Sequence, residues 1–151
     1  MPQSLPTLNL PAFNPKIVEE GGGKMIFDIF RKKYVALTPE EWVRQHFAHY
    51  LVGHLQYPKA LLKIEGALTV NGQQKRADIV VYDRDAHPFV VIECKSYEVK
   101  LGENTFQQSA WYNYSLQAPY LVITNGLRHY CCRIDHENQR FEFQNGLPRY
   151  G

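Results

Sequence analysis

The run Phe89-Val90-Val91-Ile92 is a continuous apolar stretch of the kind a core strand presents, yet it closes on Glu93-Cys94-Lys95. Glu93 and Lys95 sit on alternate positions and therefore share one face, with Cys94 on the other. Upstream, Arg76-Ala77-Asp78-Ile79-Val80-Val81-Tyr82 reads as a second strand. The link Asp83 to Pro88 is polar and ends in a proline that cannot donate to a ladder. Leu61 to Val70 is a third strand, joined to the second by Asn71-Gly72, a favoured hairpin turn. Three consecutive antiparallel strands are expected, with the Asp78 strand in the middle.

Helical patterning brackets these strands. Thr38-Pro39-Glu40-Glu41 is a helix start, with Thr38 as N-cap, proline at the first helical position and Glu41 placed to close a capping box. That helix should run to about Leu55 and bury Val43, Phe47, Tyr50 and Leu51 on one stripe, before Tyr57-Pro58 stops it. Asn104 or Thr105 opens a second helix through about Leu116. Tyr120 to Thr124 follows as a buried strand, entered by a helical crossover and so parallel to the Glu93 strand. Arg128 to Ile134 and Arg140 to Phe143 form a closing hairpin.

The first 15 residues carry prolines at 2, 6, 11 and 15 and read as an extended arm that orders against the body or a partner. Ile26 to Phe30 and Arg31 to Val35 suggest a short hairpin, with Gly21-Gly22-Gly23 as a flexible joint that lacks the context of a phosphate loop. The expected organisation is an arm and hairpin over 1–35 and a single domain over 36–151. Its class is α/β, of α+β type, with a mixed sheet flanked by helices and the core order αβββαβ.

Composition changes this picture little. The chain has 151 residues, 44% hydrophobic and 21% charged, enough for one domain with its own core. A formal charge of +2 neither announces nor excludes a nucleic-acid partner, so phosphate affinity would depend on where Lys and Arg are placed. Three cysteines, Cys94, Cys131 and Cys132, have neither zinc-ligand nor redox-pair spacing. With no apolar leader and no run of about eighteen apolar residues, a reduced, cytoplasmic protein is expected.

The charged strand ends carry the chemistry. If Tyr82 lies opposite Phe89, paired positions sum to 171, which sets Asp78 across from Glu93 and Arg76 across from Lys95. Carboxylates ~5 Å apart repel by ~3 kcal/mol at an effective dielectric of about 20, a cost that a cation between them removes. Mg²⁺ suits a site with few protein carboxylates and room for water and phosphate. The plainer reading is an exposed strand end with a solvated Asp78.

An Asp, then a Glu-x-Lys 15 residues on, on adjacent strands between two helices, resembles the PD-(D/E)xK nuclease superfamily. More narrowly, residues 38 to 45 (Thr-Pro-Glu-Glu-Trp-Val-Arg-Gln), Tyr57-Pro58, residues 76 to 83 and residues 92 to 95 resemble the N-terminal nuclease domain of type I restriction enzyme R subunits, over about 36 to 130. The resemblance implies a metal-dependent deoxyribonuclease with a restriction-endonuclease-like fold. Asp78, Glu93 and the backbone carbonyl of Cys94 would hold Mg²⁺, for which Mn²⁺ could substitute. Lys95 would orient the attacking water and steady charge on phosphorus. The family often adds a helix glutamate. Glu40, on the stripe with Val43 and Phe47, is preferred for that role, with Glu41 as the alternative. Gln108 and Tyr112 match the Q-x-x-x-Y pattern of RecB-like members, with Gln107 in reserve if the helix is rotated. Ala77 stands where many members have proline.

DNA would be the partner, together with other restriction-modification subunits. R subunits also carry a motor, and no Walker motif occurs in this chain, so it would not translocate DNA by itself. Arg76, Lys100, Lys75 and Lys95 could contact phosphates or form a solvated rim. His46, His49 and His54 lack a completing ligand and read as packing or surface residues. Trp111, Tyr112, Tyr114 and Tyr120 read as core before base-stacking residues. Two functions remain open: a Mg²⁺-dependent DNA endonuclease, and a catalytically silent nuclease-fold module that binds nucleic acid or protein.

Overall fold

The computed structural model describes residues 5–70 and 72–150, without the side chains of 67–70 and 112. Pro2, Asn71 of the expected turn and the Tyr112 side chain therefore lie outside what is described. The elements run β1 (Ile17–Glu20), β2 (Gly23–Asp28), β3 (Lys33–Ala36), α1 (Pro39–Gly53), β4 (Leu62–Val70), β5 (Gln73–Tyr82), β6 (Pro88–Cys94), α2 (Glu103–Tyr114), β7 (Tyr120–Thr124), β8 (His129–Asp135) and β9 (Arg140–Gln144). Strands β1 to β3 form a small antiparallel sheet, and β4 to β9 a larger mixed sheet in sequence order. Only β6 and β7 pair in parallel among the described strands, because α2 crosses over between them. The fold is a mixed α+β arrangement of two helices and two sheets.

The apolar runs follow from a sheet that is covered on both faces. On one face Ile79, Val81, Val90, Ile92, Cys94 and Val122 pack on α1 through Val43, Phe47 and Leu51. On the other, Val80, Val91, Leu121, Ile123 and Cys132 pack on Phe106 and Ala110 of α2. Central strands with two buried faces cannot show polar alternation, and theirs breaks only where β5 and β6 reach Asp78 and Glu93.

Helix α1 is more enclosed than its stripe suggests. Every residue from Glu41 to Ala48 is buried, since the small sheet and the N-terminal segment cover the side turned away from the large sheet. Leu8 and Ile26 belong to the same core cluster as Val43 and Phe47. The N-terminal segment is held by the Asn9 N–H to the Gly126 carbonyl at 2.8 Å and by Trp42 Nε1 to the Pro6 carbonyl at 3.0 Å. Phe13 stacks on His49 with ring centroids 4.1 Å apart and meets His46 edge-on. His46 and His49 are thus packing residues, and burial lowers both pKa values.

Three local expectations change. Gly21 and Gly22, at positive φ, form the tight turn of a β1–β2 hairpin instead of a loose joint, which gives Ile17–Glu20 a strand partner. The following hairpin starts earlier, with Phe30 in the turn, because the buried Asp28 carboxylate accepts the Phe30 N–H at 2.7 Å and closes the chain there. The Thr38 cap forms, accepting the Glu41 N–H at 3.0 Å, but the Glu41 carboxylate does not return to complete a capping box. The Thr38 N–H is already taken by the Ala36 carbonyl at 3.2 Å.

If the small sheet shares the core, Ile26→Ala should cost ~2–5 kcal/mol in a single unfolding transition. Urea denaturation followed by both Trp fluorescence and far-UV circular dichroism checks this. Two separated transitions, or no loss of stability, would contradict a shared core.

Candidate active site

The β5–β6 ladder has the expected register where it is regular: Ile79 pairs with Ile92, Val80 with Val91 and Val81 with Val90, each summing to 171. It departs at both ends. Tyr82 lies opposite Pro88, not Phe89, because the register shifts after Val81. At the other end the paired positions stop at Ile79 and Ile92, and β6 ends at Cys94. The ladder therefore stops one pair short of the expected Asp78–Glu93 pairing and does not reach Arg76–Lys95. The Asp78 side chain ends it: Oδ2 accepts the Cys94 N–H at 2.8 Å and so replaces a main-chain partner.

Asp78 and Glu93 nevertheless line one small cavity of about 70 Å³, together with Glu65, Arg76, Val91 and Asn113. The Glu93 carboxylate accepts a hydrogen bond from Ser109 Oγ on α2, and Lys95 Nζ lies 3.9 Å from Glu93 Oε2. Asn113, one turn along from Ser109, is buried and donates to the Ser109 carbonyl at 2.8 Å. Helix α2 thus turns Ser109 and Asn113 toward the strands, whereas Gln107 and Gln108 are exposed. Four-residue spacing on α2 was legible, but the face that meets Glu93 is one residue further round than Gln108. Lys100 is exposed, and Lys75 Nζ donates to Ser115 Oγ at 2.5 Å.

The other side of Asp78 faces α1, where a buried ion network missed by sequence reasoning dominates. Arg44 Nη2 donates to Asp78 Oδ1 at 2.9 Å, while Nη1 donates to Glu41 Oε1. Glu41 is only 4% exposed and accepts further from Arg31 Nη2 at 2.8 Å and Gln45 Nε2 at 2.9 Å. Arg31 also reaches Asp28 and, at 3.1 Å, Glu65. Burial pulls the Arg44 pKa down, but the charge of Glu41 and the bond to Asp78 outweigh it and leave the pKa raised. Arg44 stays charged.

The two adjacent helix glutamates therefore divide differently from the expected split between metal and cap. Glu41 is the counter-charge of two arginines. Glu40 is half exposed, with an oxygen 3.4 Å from Arg44 Nη2. Its pKa is raised, first by desolvation and then by the negative charge of Asp78, with Arg44 and Lys95 opposing. Glu40 thus shares the electrostatic neighbourhood of Asp78 and Lys95. Among the described residues, no group of three or more His, Cys, Asp or Glu side chains is arranged to hold a metal ion. The acidic residues lining the cavity are Glu65, Asp78 and Glu93, hard oxygen donors of the kind that suits a divalent cation completed by water better than an all-protein cage.

A family model described as the type I restriction enzyme R protein N terminus matches residues 39–148. The chain belongs to this family. Among solved structures, a fragment assigned to an HsdR subunit of a type I restriction enzyme from Vibrio vulnificus YJ016 is 27% identical, over 58% of this chain and 16% of that one. The chain thus spans about a sixth of that relative. Its TM-score of 0.36 is too low for the superposition to carry a structural argument. No curated protein matches. No helix among the described residues is long and apolar enough to cross a membrane.

Removing Glu41 takes a counter-charge from buried Arg44 and from partly buried Arg31. Glu41→Ala should cost ~3–5 kcal/mol, measured by chemical denaturation, whereas Glu40→Ala should cost no more than ~1 kcal/mol. Glu40 also makes a pH prediction. Its carboxyl is neutral in both states well below pH 4.5 and ionises against a raised pKa in the fold, so its charge destabilises as pH rises above that value. The Tm of Glu40→Gln relative to wild type should therefore rise between pH 4 and pH 7. A difference that stays flat or falls would contradict this.

Proposed function

We propose that this domain is a metal-dependent DNA endonuclease of PD-(D/E)xK type with a restriction-endonuclease-like core, acting within a type I restriction system. One observation carries the reading: Asp78 and Glu93 from neighbouring strands line one cavity, with Lys95 beside Glu93. Acidic residues gathered at one cavity gain from a cation there.

Asp78, Glu93 and the Cys94 carbonyl would hold Mg²⁺, or Mn²⁺ in its place, with Glu40 as the nearest helix carboxylate. Such an ion supplies a Lewis acid and lowers the pKa of bound water. The chain's own groups do the rest. Ser109 and the Cys94 N–H fix the orientation of Glu93 and Asp78. Lys95 presents an ammonium that orients water and offsets charge building on phosphate oxygens. Arg76, on the cavity wall, and Lys100 supply phosphate contacts.

A second reading, a silent module that binds DNA or protein, draws on one fact: both Asp78 oxygens already have partners in Arg44 and Cys94. Plasmid cleavage in Mg²⁺ and in Mn²⁺, with calorimetry of Mn²⁺ binding, separates the two. The endonuclease reading expects nicking by wild type, and at least ~10²-fold less by Asp78→Ala and by Lys95→Ala. Identical behaviour of wild type and Asp78→Ala, with no heat of metal binding, leaves the silent module.

A further inference from the structure

We infer that Arg44 is a positioning residue for Asp78, and that buried Glu41 neutralises it so that it can sit beside a cation site. The inference rests on the proposed metal role of Asp78. Its ground is the division of labour around one guanidinium. Nη1 is committed to Glu41, which is itself clamped by Arg31 and Gln45, so the guanidinium plane is set from behind. Nη2 then projects to Asp78 Oδ1 at 2.9 Å, while the Cys94 N–H holds Oδ2 at 2.8 Å. Two directional donors, one from a helix and one from the neighbouring strand, leave the carboxylate little freedom to rotate, and its remaining lone pairs stay available to the cavity.

The charges explain why an arginine is tolerated there. A lone cation touching a metal ligand would repel the incoming ion. Arg44 is instead offset by Glu41, and Arg31 by Asp28, so the four carboxylates of Asp78, Glu93, Glu40 and Glu65 still outnumber the cations Lys95 and Arg76. Lysine could keep the charge of Arg44, but a single ammonium on a flexible stem cannot hold the same planar link between Glu41 and Asp78. Arg44 is 6% exposed, so it is a part of the core that acts through Asp78 and is not itself a substrate contact.

The test is Mn²⁺ affinity of the full chain by calorimetry, at a temperature where each variant retains its circular dichroism spectrum. Wild type should bind and Asp78→Asn should not. Arg44→Lys should bind at least about tenfold more weakly, the loss typical of residues that orient a metal ligand. In wild type, titration with diamagnetic Mg²⁺ should move the Asp78 carboxyl and Arg44 guanidinium NMR signals together at one Kd, a readout that needs no variant. If wild type binds while Arg44→Lys binds within twofold of it, or if Asp78 shifts and Arg44 does not, the inference is overturned and the metal site stands. If wild type and Asp78→Asn alike bind no metal, both fall and Arg44 is only a structural ion pair.

Discussion

The buried carboxylate of Glu41 is the constraint around which the functional half of the molecule is arranged. It stands on the first turn of α1, accepts from Arg31 and Arg44, and through them ties the β2–β3 turn, β4 and β5 to one helix. Such a network adds little net stability, because desolvating each ion offsets most of the attraction. What it supplies is position, since each charge must find its partner or remain stranded in a low-dielectric interior. The Arg44–Asp78 bond is the end of this chain of necessity. The orientation of Asp78 is decided by a helix that begins about 40 residues earlier.

Enclosure of α1 follows from the same requirement. Arg31 reaches Glu41 only because the small sheet folds back over the helix, and Leu8, Ile26 and Phe13 fill the space beside it. Charge and apolar burial therefore cooperate: the aromatic and aliphatic contacts dry the site, and drying makes pairing obligatory. On the opposite face of the large sheet, α2 treats Glu93 more simply. One serine hydroxyl reaches the carboxylate, and a buried asparagine holds that turn of the helix. The two acidic residues of the site are thus oriented by different helices on opposite faces, and the edge where β5 and β6 part is where both can be reached.

Much of the architecture was readable from local patterns. Period-two and continuous apolar runs identify β4 to β7, Thr38-Pro39 starts α1, and the helical crossover implies the parallel β6–β7 pair. The 171 register holds through three residue pairs and stops just short of Asp78 and Glu93, which line one cavity without being ladder partners. The N-terminal strand escaped notice because Gly21-Gly22 looks equally like a joint or a turn until a partner strand is present. Trp111, expected in the core, is 57% exposed and rests against Phe141, since helical spacing gives the period of a face but not its direction.

Sequence alone determined which strands exist, how β5 and β6 slide against each other, and that two carboxylates and a lysine gather at one strand end, because these depend on alternation and chain connectivity. Only the tertiary structure decided the phase of each helix: Glu41 inward and Glu40 outward on α1, Ser109 toward Glu93 and Gln108 away on α2. A helix offers neighbouring side chains about 100° apart, and which of them meets the site is set by packing from both sides. It also turned Arg44, an unremarked residue in an amphipathic stretch, into the partner of Asp78, since nothing in a local pattern tells a buried guanidinium from a solvated one.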